Sequence, residues 1–370
     1  NTKAAELAKQ LTSSAKTKLE AVKAIRDFIA KSIRVAGPSF TDLPLTELSA
    51  ADTTLADGYG HLADRAILFH AMLSAAGFQP QFVMASALPP IAGITNVMAH
   101  LPMPQDFTAP LVRVTVDGET YYLNDTDQYS QLGSTAYDDK LAMNLTTRTF
   151  ETVKAAKDCA NKTDTFYSLT LGDDGKARVG IRRQYFGPAY NAKNRFFSEL
   201  PPEEKNRYFQ EIVSDVAQGA RPVGGLTTKF DTYPGVEEFT VEIDHYCVVD
   251  GKNFYFDLPF TPALFAAGAD QRALPLFLPG LSDNTVRADI QLPSAFPQLV
   301  IAPGAENLNL PDGAGGVQVT RTTTPGHYTI AYQLETAPAI ISVDDYPSVL
   351  KLESTLGKKS ARVFLLEKGE

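Results

Sequence analysis

Leu55-Ala56-Asp57-Gly58-Tyr59-Gly60-His61-Leu62-Ala63-Asp64-Arg65-Ala66 leads into an apolar run at 67–76 and a closing Gly77-Phe78-Gln79-Pro80-Gln81-Phe82-Val83. Gly58 and Gly60 allow a tight backbone path that side chains with a Cβ resist. Beyond them Leu62, Ala66, Phe69 and Leu73 recur at three- and four-residue steps, which predicts a helix from about His61 to Ala76. Gly77 reads as the residue that ends it. Phe82–Ala85 then reads as a short strand.

Outward from this stretch, residues 4–35 carry an apolar stripe at Leu19, Val22, Ile25, Ile29 and Ile33, with Lys18, Lys23, Arg26 and Lys31 placed on other faces. A break at Thr12-Ser13-Ser14 predicts two helices, with Ser14 or Thr17 as N-cap. Residues 37–57 and 87–110 read as loops. Leu111–Val116 alternates, Asp117-Gly118 is a hairpin turn, and Thr120–Leu123 is the return strand. From about residue 163 the texture changes. Hairpins are predicted around Asp174-Gly175 and Asp250-Gly251, strands at 290–292, 317–321 and 328–334, and a β-style terminal region at 351–366. A charged helical insert is read at 199–218. Strand-length runs between turn signals suggest a β-sandwich-type domain. The fold class expected is therefore α+β, with a core at 1–150 and a β-rich domain at 151–370.

The stretch at 55–83 resembles the nucleophile helix of the bacterial transglutaminase-like superfamily, a papain-related fold. There the run reads roughly Gly-Tyr-Gly-Asp-Cys-Lys-Asp-Lys-Ala, then an apolar helix, glycine and a strand. Gly58, Tyr59, Gly60, Asp64, Ala66 and Gly77 match it, and Leu62 stands at the cysteine position. The family's histidine opens a strand in a Phe-Asn-His pattern; the corresponding run Phe107-Thr108-Ala109 places Ala109 there. The family's aspartate ends the next strand; Leu123-Asn124-Asp125-Thr126 places Asn124 there. The resemblance thus implies a transglutaminase-like core with a degenerate triad at Leu62, Ala109 and Asn124. An alkyl group cannot attack a carbonyl. In the best-studied serine protease triad, loss of a single member already costs on the order of a millionfold in rate. The β-rich remainder also resembles the C-terminal region of the same family, through Arg272–Leu276 and Asp345-Tyr346-Pro347.

Around the altered position, Tyr59, His61, Asp64 and His100 are the candidate binding residues. His61 and Asp64 are three apart on one helix and therefore neighbours. They read either as a subsite in which His61 donates to a ligand carboxyl or sugar hydroxyl, or as a solvent-facing pair stabilised by the helix dipole. His100 lies in the segment before the second strand and is close enough in sequence to fold back. No metal site is read. His61 and His70 are nine apart and about half a turn out of phase, and His100, His245 and His327 are scattered. Asp125-Thr126-Asp127 is read as a turn with side chains on nearby amides in preference to a calcium loop. Glu203-Glu204 and Glu237-Glu238 are read as solvated faces. Ser86 and Ser130 lie outside any Gly-x-Ser-x-Gly elbow, and no phosphate-binding glycine loop occurs. No cofactor is expected.

A chain of 370 residues with 34 basic and 43 acidic side chains carries a net charge of −9, which argues against nucleic acid or an anionic membrane as partner. No apolar run is long enough to span a bilayer. The chain starts at Asn1 without a signal peptide, which suggests a trimmed start, and the family resemblance implies the periplasm or cell surface. Cys159 and Cys247 allow one disulfide, with two buried thiols the commoner outcome. These readings lead to a catalytically inactive, exported binding or scaffold module for an envelope peptide or glycan. A hydrolase working through non-cysteine residues, or a purely structural subunit of a surface complex with a protein partner, stands as the alternative.

Overall fold

A computed structural model describes residues 1–38, 42, 44–265, 268 and 270–369. It divides into two compact units, Asn1–Ala160 with Tyr190–Ala192, and Asn161–Ala189 with Lys193–Glu370.

The first unit opens with helices α1 (Thr2–Thr12) and α2 (Lys18–Ser32). Thr17 caps α2, its hydroxyl accepting from the Glu20 amide at 3.1 Å. Strand β1 (Arg34–Val35) follows, then α3 (Ala51–Asp57), β2 (Tyr59–Gly60) and α4 (Leu62–Ala75). Next come β3 (Gln81–Ser86), α5 (Ala92–His100), β4 (Phe107–Val116), β5 (Glu119–Leu123), β6 (Leu141–Asn144) and β7 (Thr149–Thr152). Strands β3 to β7 form an antiparallel sheet in the order β5-β4-β3-β6-β7. One of its faces carries Phe82, Val112, Val114 and Leu123 onto the core that α4, α2 and α1 fill with Phe69, Leu73, Ile25 and Ala8. The opposite face packs Val83, Ala85, Ala109, Leu111 and Tyr122 together.

Three readings of this unit change. The segment expected as a loop at 37–57 holds α3, while residues 39–41 and 43 lie outside the described residues. The proline-studded stretch at 87–110 holds α5 and the start of β4. Arg26, placed on an outer face, is 2% exposed. Val22, Arg26, Ile29 and Ile33 follow the same three- and four-residue steps, so the guanidinium enters the core side of the helix.

The second unit begins with the hairpin β8 (Lys162–Leu171) and β9 (Ala177–Phe186), then helices α6 (Gly187–Glu199) and α7 (Pro202–Ser214). The helical segment therefore starts before the expected 199. Strands β10 (Arg221–Pro222), β11 (Thr227–Lys229), β12 (Gly235–Ile243), β13 (Val248–Asp250) and β14 (Asn253–Asp257) follow. After them come β15 (Leu276–Leu278), β16 (Ser282–Gln291), β17 (Gln298–Ile301), β18 (Glu306–Asn309), β19 (Gly315–Thr324), β20 (His327–Thr336) and β21 (Ala339–Ile341). The chain ends with helix α8 (Tyr346–Gly357) and strand β22 (Val363–Glu367). The terminal region expected as β is thus partly helical, because Tyr346, Val349, Leu352 and Leu356 are buried at helical spacing.

A nine-stranded sheet runs β10-β12-β9-β8-β16-β20-β19-β18, with β11 beside β12 and a parallel pairing only at β8–β16. A four-stranded sheet, β13-β14-β22-β17, shares one core with it. Phe256 stacks on Phe364 at 4.6 Å within the smaller sheet, and Tyr328 of β20 meets Phe364 edge-on at 5.1 Å. The class is α+β. Glu237, expected on a solvated face, is fully buried: its carboxylate accepts from Arg183 Nη1 at 2.6 Å and from the Tyr208 hydroxyl at 2.7 Å. Glu238 remains exposed, as alternation along β12 requires. Both cysteines are buried thiols, and burial pushes the Cys247 thiol up to about 12.

Candidate functional site

The N-terminus of α4 is built by the chain entering it. Gly58 ends α3 with φ +70°, a conformation that glycine adopts without a Cβ penalty. The parallel pairing of β2 with β1 then aligns Tyr59 with Arg34 and Gly60 with Val35. A Cβ on Gly60 would lie 2.8 Å from Asp64 Cβ, so only glycine lets the turn pass this close to the helix.

His61 is the N-cap. Its Nδ1 accepts from the amides of Ala63 at 3.1 Å and Asp64 at 3.4 Å. Asp64 closes the reciprocal half: Oδ2 accepts from the His61 amide at 3.2 Å, and Oδ1 from the Ser49 amide at 2.7 Å. This is a capping box, and it satisfies helix-terminal donors that would otherwise be free to bind an anion. With Nδ1 accepting, the imidazole proton is assigned to Nε2, which lies 3.4 Å from Asp64 Oδ2 and has no other partner. Both side chains are buried, so the solvent-facing alternative for this pair is set aside.

Leu62 is the first residue of α4 and is half-buried. Its carbonyl accepts from Asn124 Nδ2 at 2.8 Å, and the same amide donates to the Pro110 carbonyl at 2.7 Å. Asn124 has φ +95° at the exit of β5, which turns its side chain toward these two carbonyls. The amide therefore ties the start of α4 to β4, with its Oδ1 left buried and unpartnered.

Ala109 is corrected. It packs with Val83, Ala85 and Leu111 on the sheet face opposite α4, because side chains alternate along β4 and Val112 and Val114 take the α4 face. The β4 residue whose carbonyl meets Asn124 is Pro110, which has no proton-accepting side chain either. His100 ends α5 exposed, its Nδ1 bonded to the Asn96 carbonyl of its own helix at 2.8 Å. Tyr59 is 56% exposed. The structure thus brings His61, Leu62, Asp64 and Asn124 together through hydrogen bonds, whereas none of the bonds of Tyr59 or His100 described here reaches that group.

Beside this group lies a set of charges that pattern reading missed. Arg26 Nη1 donates to the Asp127 carbonyl at 3.1 Å. Burial lowers the pKa of Arg26, opposed by the charges of Asp27, Asp127 and Asp125. Arg65 follows Asp64 on α4, and burial lowers its pKa too, opposed by Asp125. Asp125 Oδ2 accepts from Thr135 Oγ1 at 2.6 Å and the Ala136 amide at 2.8 Å; burial raises its pKa against those bonds. Asp127 Oδ1 accepts from the Tyr129 amide and Ser130 Oγ, both at 2.9 Å, which is the turn expected there. Arg65 Nε, Asp125 Oδ1 and Ser134 Oγ remain buried without a partner. Such atoms are costly to leave unsatisfied and mark where water or a ligand group is held.

Residues 5–105 match the transglutaminase-like superfamily, a span that takes in α1 to α5 and ends before β4 and β5. The first unit thus carries a transglutaminase-like fold. No curated protein matches the chain. A solved structure described as a "putative protease" from Parabacteroides distasonis ATCC 8503 aligns at 16% identity with a TM-score of 0.49, covering 99% of this chain and 55% of that one. The present chain spans just over half the length of that protein. No helix among the described residues is long and apolar enough to cross a membrane.

Proposed function

We infer that the protein is a catalytically inactive transglutaminase-like module, exported to the periplasm or cell surface, that binds an envelope peptide or glycan at the start of α4. The observation that carries this reading is Leu62, an isobutyl group on the first residue of the helix where the family places its thiolate. Further support comes from His61, whose acceptor nitrogen is engaged by two backbone amides and so is withheld from proton abstraction. Asn124 supports it as well, since its donor nitrogen is taken up by backbone carbonyls with no imidazole to orient. The unpartnered Asn124 Oδ1, Arg65 Nε and Asp125 Oδ1 favour retention of polar binding capacity over a filled apolar core.

The test is calorimetric titration with soluble peptidoglycan fragments and, separately, with an extended peptide, on the wild type and on Leu62→Trp. Saturable binding of either probe, weakened at least tenfold by the bulky indole, is the expected result. Absence of binding by both probes, or turnover of an amide bond in them, overturns the reading.

A further inference from the structure

The second unit carries an open surface pocket of about 550 Å³, within the size range of small-molecule sites. Its lining includes Tyr255 and Asp257 of β14, Phe260 and Thr261 just after that strand, and Arg362 just before β22. Asp257 and Arg362 are an unusual pair. Arg362 Nε lies 3.9 Å from Asp257 Oδ2, beyond hydrogen-bonding reach. Arg362 Nε and Asp257 Oδ1 are both buried without a hydrogen-bond partner.

Neither group is loose. Arg362 Nη1 donates to Thr261 Oγ1 at 3.0 Å. The Tyr246 hydroxyl donates to the Asp257 carbonyl, which fixes the backbone that carries the carboxylate. Phe260 is fixed by stacking on Tyr167 at 4.7 Å and by an edge contact with Tyr332 at 5.8 Å. A donor and an acceptor are thus each held by third parties, a short gap apart, beside an immobilised ring.

The chemistry of that gap selects its occupant. An anion would bond to Arg362 but be repelled by Asp257, and a cation the reverse. A hydroxyl both donates and accepts, so one hydroxyl or a vicinal pair satisfies the carboxylate and the guanidinium together. Charge assistance makes both bonds strong, and the aromatic wall suits the C–H face of a sugar ring. We propose that this pocket is a binding subsite for a neutral carbohydrate, with Asp257 and Arg362 reading hydroxyls and Phe260 supporting the ring. It stands independently of the α4 site.

The test uses the full chain and a set of trisaccharides of glucose, galactose, mannose and N-acetylglucosamine, with galacturonic acid trimer as the anionic and chitosan trimer as the cationic comparison. Calorimetry should show saturable binding of at least one neutral sugar, with both charged trimers at least tenfold weaker. Asp257→Asn and Arg362→Gln should each weaken the neutral sugar tenfold or more. Phe260→Leu, which keeps the apolar volume, should weaken it as well and covers the case in which a charge variant fails to fold. Failure of every neutral sugar to bind, tighter binding of a charged trimer, or binding indifferent to the pocket substitutions overturns the proposal.

Discussion

The first unit buries Arg26, His61, Asp64, Arg65 and Asn124, and among the described residues every buried charged or non-aromatic polar side chain except Glu237 belongs to it, cysteines aside. The second unit fills its interior with rings, Phe254, Phe256, Tyr328, Tyr332 and Phe364, and keeps Asp257 and Arg362 beside a pocket. Burying a polar group without a partner is unfavourable, so a fold that needed only stability would follow the second pattern. Much of the first pattern lies around the start of α4 and the exit of β5, where His61, Asp64, Arg65 and Asn124 are buried. That region holds the capping box, the close turn at Gly60 and the amide of Asn124. Leu62 opens the helix beside them with an alkyl side chain.

The contrast can be sharpened first at its exception. Removing Glu237 leaves Arg183 without its buried partner and the Tyr208 hydroxyl without an acceptor. Glu237→Ala should therefore destabilise the second unit by about 3–5 kcal/mol, read from urea unfolding. A loss below about 1 kcal/mol would mean that the aromatic core alone holds this region. In the first unit Asp64→Ala strips acceptors from the His61 and Ser49 amides and should cost about 3 kcal/mol, with Asp64→Asn costing less. If both variants unfold like the wild type, the capping box is incidental to the fold.

A smaller effect separates the two cores by pH. The folded Cys247 thiol sits at about 12, above the roughly 8.5 of an unfolded cysteine. A folded value raised in this way contributes stability that is complete below about pH 8.5 and is lost as pH rises toward 12. The wild type should lose up to about 1.4 kcal/mol per pH unit from this group over that window. Cys247→Ala should flatten the slope between pH 8.5 and 10, before unfolded tyrosines begin to titrate near 10. Equal slopes in the two proteins would contradict the burial argument.

Much of the fold was legible where one local rule decided the outcome. The α4 segment announced itself through Gly58, Gly60, Gly77 and a regular apolar step, and the Asp117-Gly118 hairpin through its turn pair, whose φ values are +50° and +91°. The helices α3 and α5 were not legible, since Ala50 and Ile91 begin them with no side-chain cap to signal a start. Arg26 and Glu237 were misread because charge suggested solvent, whereas partners distant in sequence pay for their burial. At the site, Leu62 and Asn124 could be named from the pattern. The Ala109 register could not be fixed, because one residue of slip along a strand moves a side chain to the other face. The backbone role of Asn124 depends on Leu62 and Pro110 converging in three dimensions, which no local spacing reveals.

The most direct test of the central claim is an activity comparison of the wild type with Leu62→Cys, using amide and ester substrates together with a thiol-directed electrophile. Background turnover from both proteins and alkylation at position 62 of the variant alone are expected, without a gain in hydrolysis, because two backbone amides already engage the acceptor nitrogen of His61. Turnover by the wild type that disappears when Leu62 or Asn124 is changed would contradict it.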